Sequence, residues 1–477
     1  MAEQAVSHTE VPRRSETAPV LLWFRDDLRL ADHAALHVAL GTGAPVLPVY
    51  VLDDDPPWAM GGAARWWLHH SIRSLTQALA ARGAPLILRR GPAAATIRAL
   101  VAETGATAVY TGGMPDPKAR AIDRALVDAG VALHRLRTFM LFSPNDIRTG
   151  GGGPYAVYTP FANACLTREP RPLLPAPERI PAPRPPRSDR LDDWGLLPTK
   201  PDWAGGLRAT WTPGEQGAAD RLDRFLAGAI DDYPNGRDRP DRSGTSMLSP
   251  HLRFGEISAA TVWHRAGTSH KTFIKELLWR EFSIHQLWHN PSLPDAPAKP
   301  AFAAMPWRDD PASLNAWQQG MTGIPIVDAG MRQLWLTGWM HNRVRMIAAS
   351  YLIKHAMIDW RAGEKWFWDT LVDADLGANA ANWQWVAGSG ADAAPYFRIF
   401  NPVLQGRKFD PDGAYTRQFV PEIARLNTSH IHAPWEAPPD ILRQAGIVLG
   451  QSYPHPVVDL AFGRRRALDA FAALRAG

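Results

Sequence analysis

The 477-residue chain has little of several features that mark whole classes of protein. It has one cysteine, Cys165, which excludes an intramolecular disulfide and a cysteine-based zinc or iron–sulfur site. No apolar run approaches the roughly 18 residues of a membrane span, so we expect no contact with a membrane interior. The first 18 residues lack the apolar core of a secretory signal and are predicted to form a loose tail. These absences together favour a protein of the reducing cytoplasm.

Two quantities stand out among what is present. The chain contains 20 tryptophans, and it carries a formal net charge of +5 with a pI near 9.4. The charge fits either a nucleic-acid-binding protein or an ordinary basic enzyme. Tryptophan fills protein cores, but it also stacks on flat rings and carries electrons between them. Composition alone leaves both pairs of alternatives open.

Residues 19–142 alternate strand-like and helix-like stretches. This alternation predicts a parallel, Rossmann-like α/β sheet with a ligand crevice at the carboxyl ends of its strands. The five predicted strands lie within PVLLWFR (19–25), APVLPVYVLD (44–53), PLILRRG (85–91), TAVYTGG (107–113) and VALHRLRTFMLF (131–142).

The rest of the chain divides into two parts. Residues 143–214 are predicted to be a connector, because proline is so frequent over about 168–213 that neither helix nor central strand is expected there. Residues 215–477 repeat apolar side chains at three- and four-residue spacing, which predicts an all-α domain. The sequence therefore indicates two domains of different class.

The segment HKTFIKELLWREFSIHQLWH (270–289) reads as one helix. Glu276, Trp279 and Arg280 fall beside its apolar stripe. One interpretation is an exposed Glu276–Arg280 pair next to a half-buried Trp279. The other is a carboxylate and an indole that line one cavity. The spacing by itself favours the first.

Two further segments admit a plain and a functional interpretation. Asn342 and Met346 share a helix face, either as a buried amide with a core methionine or as the flanks of a flat ligand with polar edges. The segment GTSMLSP (244–250) precedes a helix, where its hydroxyls either cap the helix or hold a phosphate.

The segment DADLGANAANWQWVAGSG (373–390) combines two acids, an amide and two indoles with small residues. Asp373 and Asp375 have no nearby histidine or further carboxylate that would complete a metal site, so no metal is predicted. A buried carboxylate needs a partner, and Arg345 is a good candidate. The alanines and glycines are expected to leave room for a large planar cofactor.

Seven motifs in chain order resemble those of the DNA photolyase/cryptochrome family, closest to bacterial class I cyclobutane pyrimidine dimer photolyases. They are WFRDDLRLADHAAL, GTSMLSP, ELLWREF, TGWMHNRVRMI, DWRAGE, DADLGANAANWQW and ADAAPYFRIFNP. The resemblance covers nearly the whole chain beyond the tail. It implies an α/β antenna domain, a helical domain that binds FAD, and light-driven electron transfer from reduced FAD to a pyrimidine dimer flipped out of DNA. A monomer suits the family.

The resemblance also implies roles for individual residues. Positions that match flavin contacts are Tyr233, Thr245, Ser246, Met247, Leu248, Ser249, Arg345, Asp373, Ala374, Asp375 and Asn379, with Asn379 beside the ring nitrogen that takes a proton. Positions that match contacts to the damaged bases or to DNA are Arg237, Glu276, Trp279, Asn342, Arg343, Met346 and Trp385. The tryptophan chain that photoreduces the flavin matches Trp307, Trp360 and Trp383.

Three points stay open within the resemblance. A cryptochrome-like photoreceptor without repair activity is the main alternative, and the intact set of dimer-contacting residues argues against it. A nucleic-acid-binding protein without cofactor is the second. Folate-binding relatives carry an Asn-Glu pair where this chain has Pro117 and Lys118, which argues against methenyltetrahydrofolate as a second chromophore and leaves a deazaflavin, another flavin or no antenna open.

Overall fold

A computed structural model describes residues 18–53, 55 and 57–476. The predicted tail therefore lies, apart from its last residue, outside the described residues. Among those described, no helix combines the length and the apolarity that a membrane crossing needs.

The first part of the chain forms one parallel sheet of five strands in the order β3-β2-β1-β4-β5. Their bounds are β1 Val20–Phe24, β2 Val46–Leu52, β3 Ile87–Arg90, β4 Val109–Gly112 and β5 Leu133–Leu136. All five predicted strands are confirmed, although the last is shorter because residues 137–142 leave the sheet. The chain runs outward from β1 to β3 and then returns to β4 on the other side of β1, so the strand order reverses between β1 and β4, which is where such a sheet opens a ligand crevice at its carboxyl edge.

Four helices cover the two faces of this sheet. They are α1 Ala34–Gly41, α2 Gly62–Ala80, α3 Ala93–Thr104 and α4 Pro117–Asp128. Alternate residues of β1 point to opposite faces, so Leu22 and Phe24 pack into one apolar cluster while Leu21 and Trp23 pack into another. Both faces are buried, which explains why the strands read as continuous apolar runs.

The segment between the sheet and the main helical region is more structured than predicted. It contains α5 Tyr158–Leu166, a short turn of helix at Leu191–Trp194, and α6 Gly205–Thr210. The expectation of no helix over 168–213 is therefore wrong for α6, which lies beyond the most proline-rich stretch. Phe161 and Cys165 of α5 are buried in an apolar cluster with side chains of the helical region.

The remainder is helical, as predicted. Its α-helices are α7 Glu215–Arg224, α8 Tyr233–Gly236, α9 Ser249–Arg253, α10 Ala259–Ala266, α11 Lys271–His289, α12 Pro311–Gln319, α13 Pro325–Thr337, α14 Asn342–Ser350, α15 Trp360–Thr370, α16 Leu376–Ala387, α17 Pro402–Phe409, α18 Ala414–Phe419, α19 Pro439–Ala445 and α20 Leu460–Ala476. The apolar stretch 324–356 forms α13 and α14, and α14 continues as a π-helical turn over Tyr351–His355. Helices α11, α14, α15 and α16 surround the site described next.

Candidate functional site

A cavity of about 430 Å³ lies inside the helical region. It is lined from α9, α11, α14, α15 and α16 and from the residues just before α16. Most of the side chains singled out from the sequence meet there: Arg237, Ser249, Glu276, Trp279, Asn342, Arg343, Arg345, Met346, Asp373, Ala374, Asp375, Asn379, Trp383 and Trp385. Residues more than 100 positions apart in the chain thus face one space.

On α11, Glu276 and Trp279 both line the cavity. The alternative Glu276–Arg280 pair is wrong, because Arg280 pairs with Glu281 at 2.7 Å. Glu276 instead pairs with Arg237, with 2.5 Å between Oε1 and Nη1. Burial raises the pKa of the Glu276 carboxyl, and the Arg237 guanidinium opposes that rise. The carboxylate at this wall of the cavity is therefore paired directly with Arg237.

On α14, Asn342 is exposed and Met346 is half-buried, and both line the cavity. The interpretation as a buried amide with a core methionine is therefore wrong. His341 caps the helix, with Nδ1 accepting from the backbone N–H of Arg343 at 3.2 Å. Arg343 pairs with Asp238 at 2.6 Å. Two arginines, Arg237 and Arg343, therefore stand at this site with acidic partners.

Asp373 and Arg345 form the expected pair, 2.8 Å between Oδ2 and Nη2. The Asp373 side chain is 3% exposed, and its Oδ1 is buried without a hydrogen-bond partner among the described residues. An unpartnered buried acceptor beside a cavity fits a ligand that donates a hydrogen bond. Asp375, in contrast, is the N-cap of α16, and its Oδ1 accepts a hydrogen bond from the Ala378 N–H at 2.7 Å.

Asn379 is buried, and its side-chain Nδ2 donates to the backbone oxygen of Glu364 at 3.1 Å. Glu364 is itself buried, and neither of its carboxylate oxygens has a partner among the described residues. Burial raises the pKa of Glu364 to about 9, and the charge of Asp295 adds to this rise. The sequence analysis used DWRAGE only as a family motif and assigned no role to its last residue, Glu364.

The two indoles of NWQW occupy different surroundings, although both line the cavity. Trp383 is 3% exposed and has ring contacts with Phe367 at 5.0 Å and Trp317 at 6.1 Å. A side chain at Gly363 would collide with this ring, since an added Cβ would lie 2.1 Å from it. Trp385 is only half-buried.

Several predicted residues lie off the cavity wall. Trp360 is buried in the same apolar cluster as Trp383, and Trp307 packs against that cluster. Tyr233 is buried against Phe225 and Phe273. The remaining four, which precede Ser249, are Thr245, Ser246, Met247 and Leu248. Helix capping by a hydroxyl is wrong here, because Leu248 occupies the N-cap position of α9 and no side chain caps it.

Only some of the alanines and glycines of residues 373–390 line the cavity. Ala378 lines it, whereas Ala380 is buried in a cluster with Leu287 of α11 and with Leu293, which follows that helix. Gly388 ends α16 in the left-handed region, with φ of 84°. Packing between helices and helix termination therefore account for some of the alanine and glycine.

A second cavity of about 290 Å³ lies at the carboxyl edge of the sheet. Its lining includes residues that follow β1, β2 and β4, together with Pro117 and Lys118 of α4. Lys118 pairs with Asp53 at 2.8 Å. Asp375 borders both cavities, which places the two spaces on either side of the start of α16. Within the described part of the chain, no cluster of His, Cys, Asp and Glu could hold a metal ion.

The comparisons with known proteins agree with this arrangement. Residues 20–183 match a family model described as DNA photolyase, and residues 273–473 match one described as the FAD binding domain of DNA photolyase. A deoxyribodipyrimidine photo-lyase of Agrobacterium fabrum is 52% identical over 96% of this chain and 99% of that protein. Cryptochrome-1 of Arabidopsis thaliana is 35% identical over 95% of this chain and 70% of that protein.

A crystal structure described as a bacterial class III photolyase from Agrobacterium tumefaciens superposes with a TM-score of 0.94. It is 51% identical and covers 98% of this chain and 100% of that one. The resemblance to class I in particular is not supported by this structure, because its class is III. The family itself and its cofactor are confirmed. The chain belongs to the DNA photolyase/cryptochrome family and carries that family's FAD-binding domain.

Proposed function

We propose that this protein repairs DNA by splitting cyclobutane pyrimidine dimers in light, and that it does so as a photolyase of the class III type. The observation that carries the proposal is the cavity in the helical region. Its wall brings a carboxylate, an amide, a thioether and two half-buried indoles together with the paired Asp373 and Arg345 and with Asn379.

The residues present fit FAD. The cavity is large and is lined by both apolar and polar groups. The Oδ1 of Asp373, which has no partner among the described residues, can accept a hydrogen bond from a ligand. Asp373, Arg345 and Asn379 would hold the flavin ring, and Ser249 with the preceding segment 245–248 and Tyr233 would hold the rest. When bound in reduced form and excited by light, FAD supplies one electron to the dimer and takes it back once the two bonds of the cyclobutane ring have broken.

The other residues would bind the substrate. Trp279 and Trp385 would stack on the flipped bases, and each base stacked on an aromatic ring contributes about 1–3 kcal/mol. That gain offsets the few kcal/mol needed to flip a dimer, whose stacking in DNA is already disturbed. Glu276 and Asn342 would bind the polar edges of the bases, with Met346 beside them. Arg237 and Arg343 would contact phosphates, which makes the affinity salt-dependent.

Trp383, Trp360 and Trp307 are proposed as the chain that delivers electrons to oxidised flavin. Trp383 lines the cavity, and the other two share or border its apolar cluster. The sheet-edge cavity is proposed as the site of a second chromophore, of the flavin, deazaflavin or folate class. Repair does not require it.

The test uses the purified protein with FAD in reduced form. An oligonucleotide with one thymine dimer is added in blue light and in darkness, and the dimer is quantified by chromatography. We expect loss of the dimer in light alone. Flavin absorption without loss of the dimer would contradict the proposal and favour a cryptochrome-like photoreceptor, or a photolyase for another lesion.

A further inference from the structure

Tyr158 lies outside every motif that marks the cavity, yet its ring covers one of the cavity's two half-buried indoles. The rings of Tyr158 and Trp279 are stacked, with centroids 3.6 Å apart and planes within 6° of each other. Tyr158 belongs to α5, in the segment predicted from the sequence to be a connector. It does not line the cavity, whereas Trp279 does. Tyr158 therefore covers one face of an indole that also reaches the cavity.

Tyr158 is held by hydrogen bonds at its hydroxyl and at its backbone N–H. Its hydroxyl donates to the backbone oxygen of Lys275 at 2.6 Å, one helical turn before Trp279 on α11. Its backbone N–H donates to Oδ2 of Asp392 at 2.8 Å. Tyr158 is 8% exposed, so these bonds are made largely away from water and few other positions of the ring are open to it.

The indole itself has few alternative positions. Phe282 meets both Trp279 and Tyr158 edge-on, at 5.8 Å and 5.9 Å. The indole is thus fixed by a parallel ring on its back and a perpendicular ring at its edge. A stacking surface that is fixed before the ligand arrives loses less side-chain entropy on binding.

We propose that Tyr158 is a positioning residue that fixes Trp279 as the stacking surface for the flipped dimer, and so contributes to the preference for damaged over undamaged DNA. The proposal rests on the proposed function, because it assigns Trp279 to the substrate. Tyr158 acts through Trp279 alone and touches neither substrate nor cofactor.

The experiment measures dissociation constants in darkness for two oligonucleotides of equal sequence, one with a single thymine dimer. Tyr158→Leu removes the ring, and Tyr158→Phe keeps the ring but removes the hydroxyl. We expect Tyr158→Leu to weaken binding of the dimer by about 2- to 10-fold, the factor that corresponds to one aromatic pair. Binding of undamaged DNA and the ratio of FAD to protein should stay unchanged. Tyr158→Phe keeps the stacked ring and loses only the hydrogen bond to Lys275, so it should weaken dimer binding less than Tyr158→Leu.

The same measurement on Trp279→Leu and on the double variant tests whether Tyr158 acts through Trp279. In the Trp279→Leu background, Tyr158→Leu should cause no further loss of dimer affinity. An additional loss in that background, or equal weakening for damaged and undamaged DNA, would overturn the proposal. So would an unchanged dimer affinity in Tyr158→Leu, or a Tyr158→Phe variant as weak as Tyr158→Leu.

Two precautions keep the outcomes separate. If Tyr158→Leu fails to retain FAD, Tyr158→Met fills a similar volume without a flat ring and takes its place in the comparison. If the unsubstituted protein does not distinguish dimer from undamaged DNA, the proposed function fails. If it does distinguish them and Tyr158 makes no difference, only the role of Tyr158 fails.

Discussion

The helical cavity and the sheet-edge cavity both have Asp375 in their walls, but they take their polar groups from different kinds of element. The helical cavity takes its polar groups from the faces of regular helices and from the residues that precede α16, and its Asp373 carboxylate is 3% exposed. The sheet-edge cavity takes many of its groups from loops after strands. Its Lys118–Asp53 pair is 30% and 14% exposed. Similar ion pairs therefore stand in different surroundings, and the cost of breaking them should differ.

The largest effect is expected for Asp373→Ala. The substitution removes the buried carboxylate that pairs with Arg345 and that is proposed to hold the flavin, and Arg345, whose side chain is 24% exposed, keeps its hydrogen bond to the Met340 backbone oxygen. We expect the ratio of FAD to protein after purification, measured from absorbance at visible and ultraviolet wavelengths, to fall by at least about tenfold. Asp53→Ala is the matched control at the sheet edge and should retain FAD. Equal FAD content in both variants would show that the two pairs do not differ.

Trp383→Phe tests whether electrons enter through the helical cavity. The substitution keeps an aromatic ring against Phe367 but removes the easily oxidised indole. We expect light to reduce bound oxidised flavin far more slowly, as followed by visible absorbance, while protein reduced beforehand still repairs the dimer. The control is Trp58→Phe at the sheet-edge cavity, which should photoreduce normally. Equal loss of photoreduction and of repair by the pre-reduced protein would contradict the electron-chain role.

Glu364→Gln should change how stability depends on pH. Because the pKa of Glu364 is raised to about 9 in the folded protein, folding keeps a proton that the unfolded chain releases above its ordinary pKa. The cost is absent below pH 4.5 and grows as pH rises. The Gln variant should therefore gain stability over the unsubstituted protein between pH 5 and pH 8, by up to about 1.4 kcal/mol per pH unit.

Thermal denaturation across this range, with FAD content recorded for each sample, measures the Glu364 effect. A constant difference in melting temperature from pH 5 to pH 8 would contradict a neutral buried Glu364.

The smallest effect is expected for Lys118→Ala, and it has the opposite dependence on pH. Burial alone would raise the pKa of Asp53, but the hydrogen bonds from Lys118 and two backbone N–H groups lower it below its usual value. This stabilisation is present above the unfolded pKa of about 3.8 and is lost as pH falls. For a partly exposed pair we expect about 0–1 kcal/mol at pH 7, measured by thermal denaturation. A larger destabilisation at pH 4 than at pH 7 would refute the assignment.

The sequence predicted those parts of the site that depend on helix periodicity. Glu276 and Trp279 lie one turn apart on α11, and Asn342 and Met346 one turn apart on α14, so each pair shares a face wherever its helix packs. The five strands could be predicted just as well, because strands buried on both faces are continuous apolar runs. Motif resemblance then supplied the family.

The ion-pair and stacking partners that belong to different elements were harder to predict from the sequence. Arg280, four residues from Glu276, was the natural partner by local spacing, yet Arg237 of another element holds Glu276. Glu364 ends the DWRAGE motif, but neither Glu364 nor Tyr158 was singled out, because nothing in their local sequence indicates burial of the carboxyl or stacking of the ring. Only the packing of α15 buries the first, and only the packing of α5 against α11 stacks the second on Trp279.

The sequence by itself therefore determined the five strands, the helical class of residues 215–477 and which side chains share a helix face, since these follow from local periodicity and spacing, and its motifs indicated the family. The tertiary structure decided which ion pairs form, which carboxyls lose contact with water, and which ring backs Trp279. The physical reason is that burial and pairing depend on neighbours far away in the chain, and the energy of a charge or a ring is set by those neighbours.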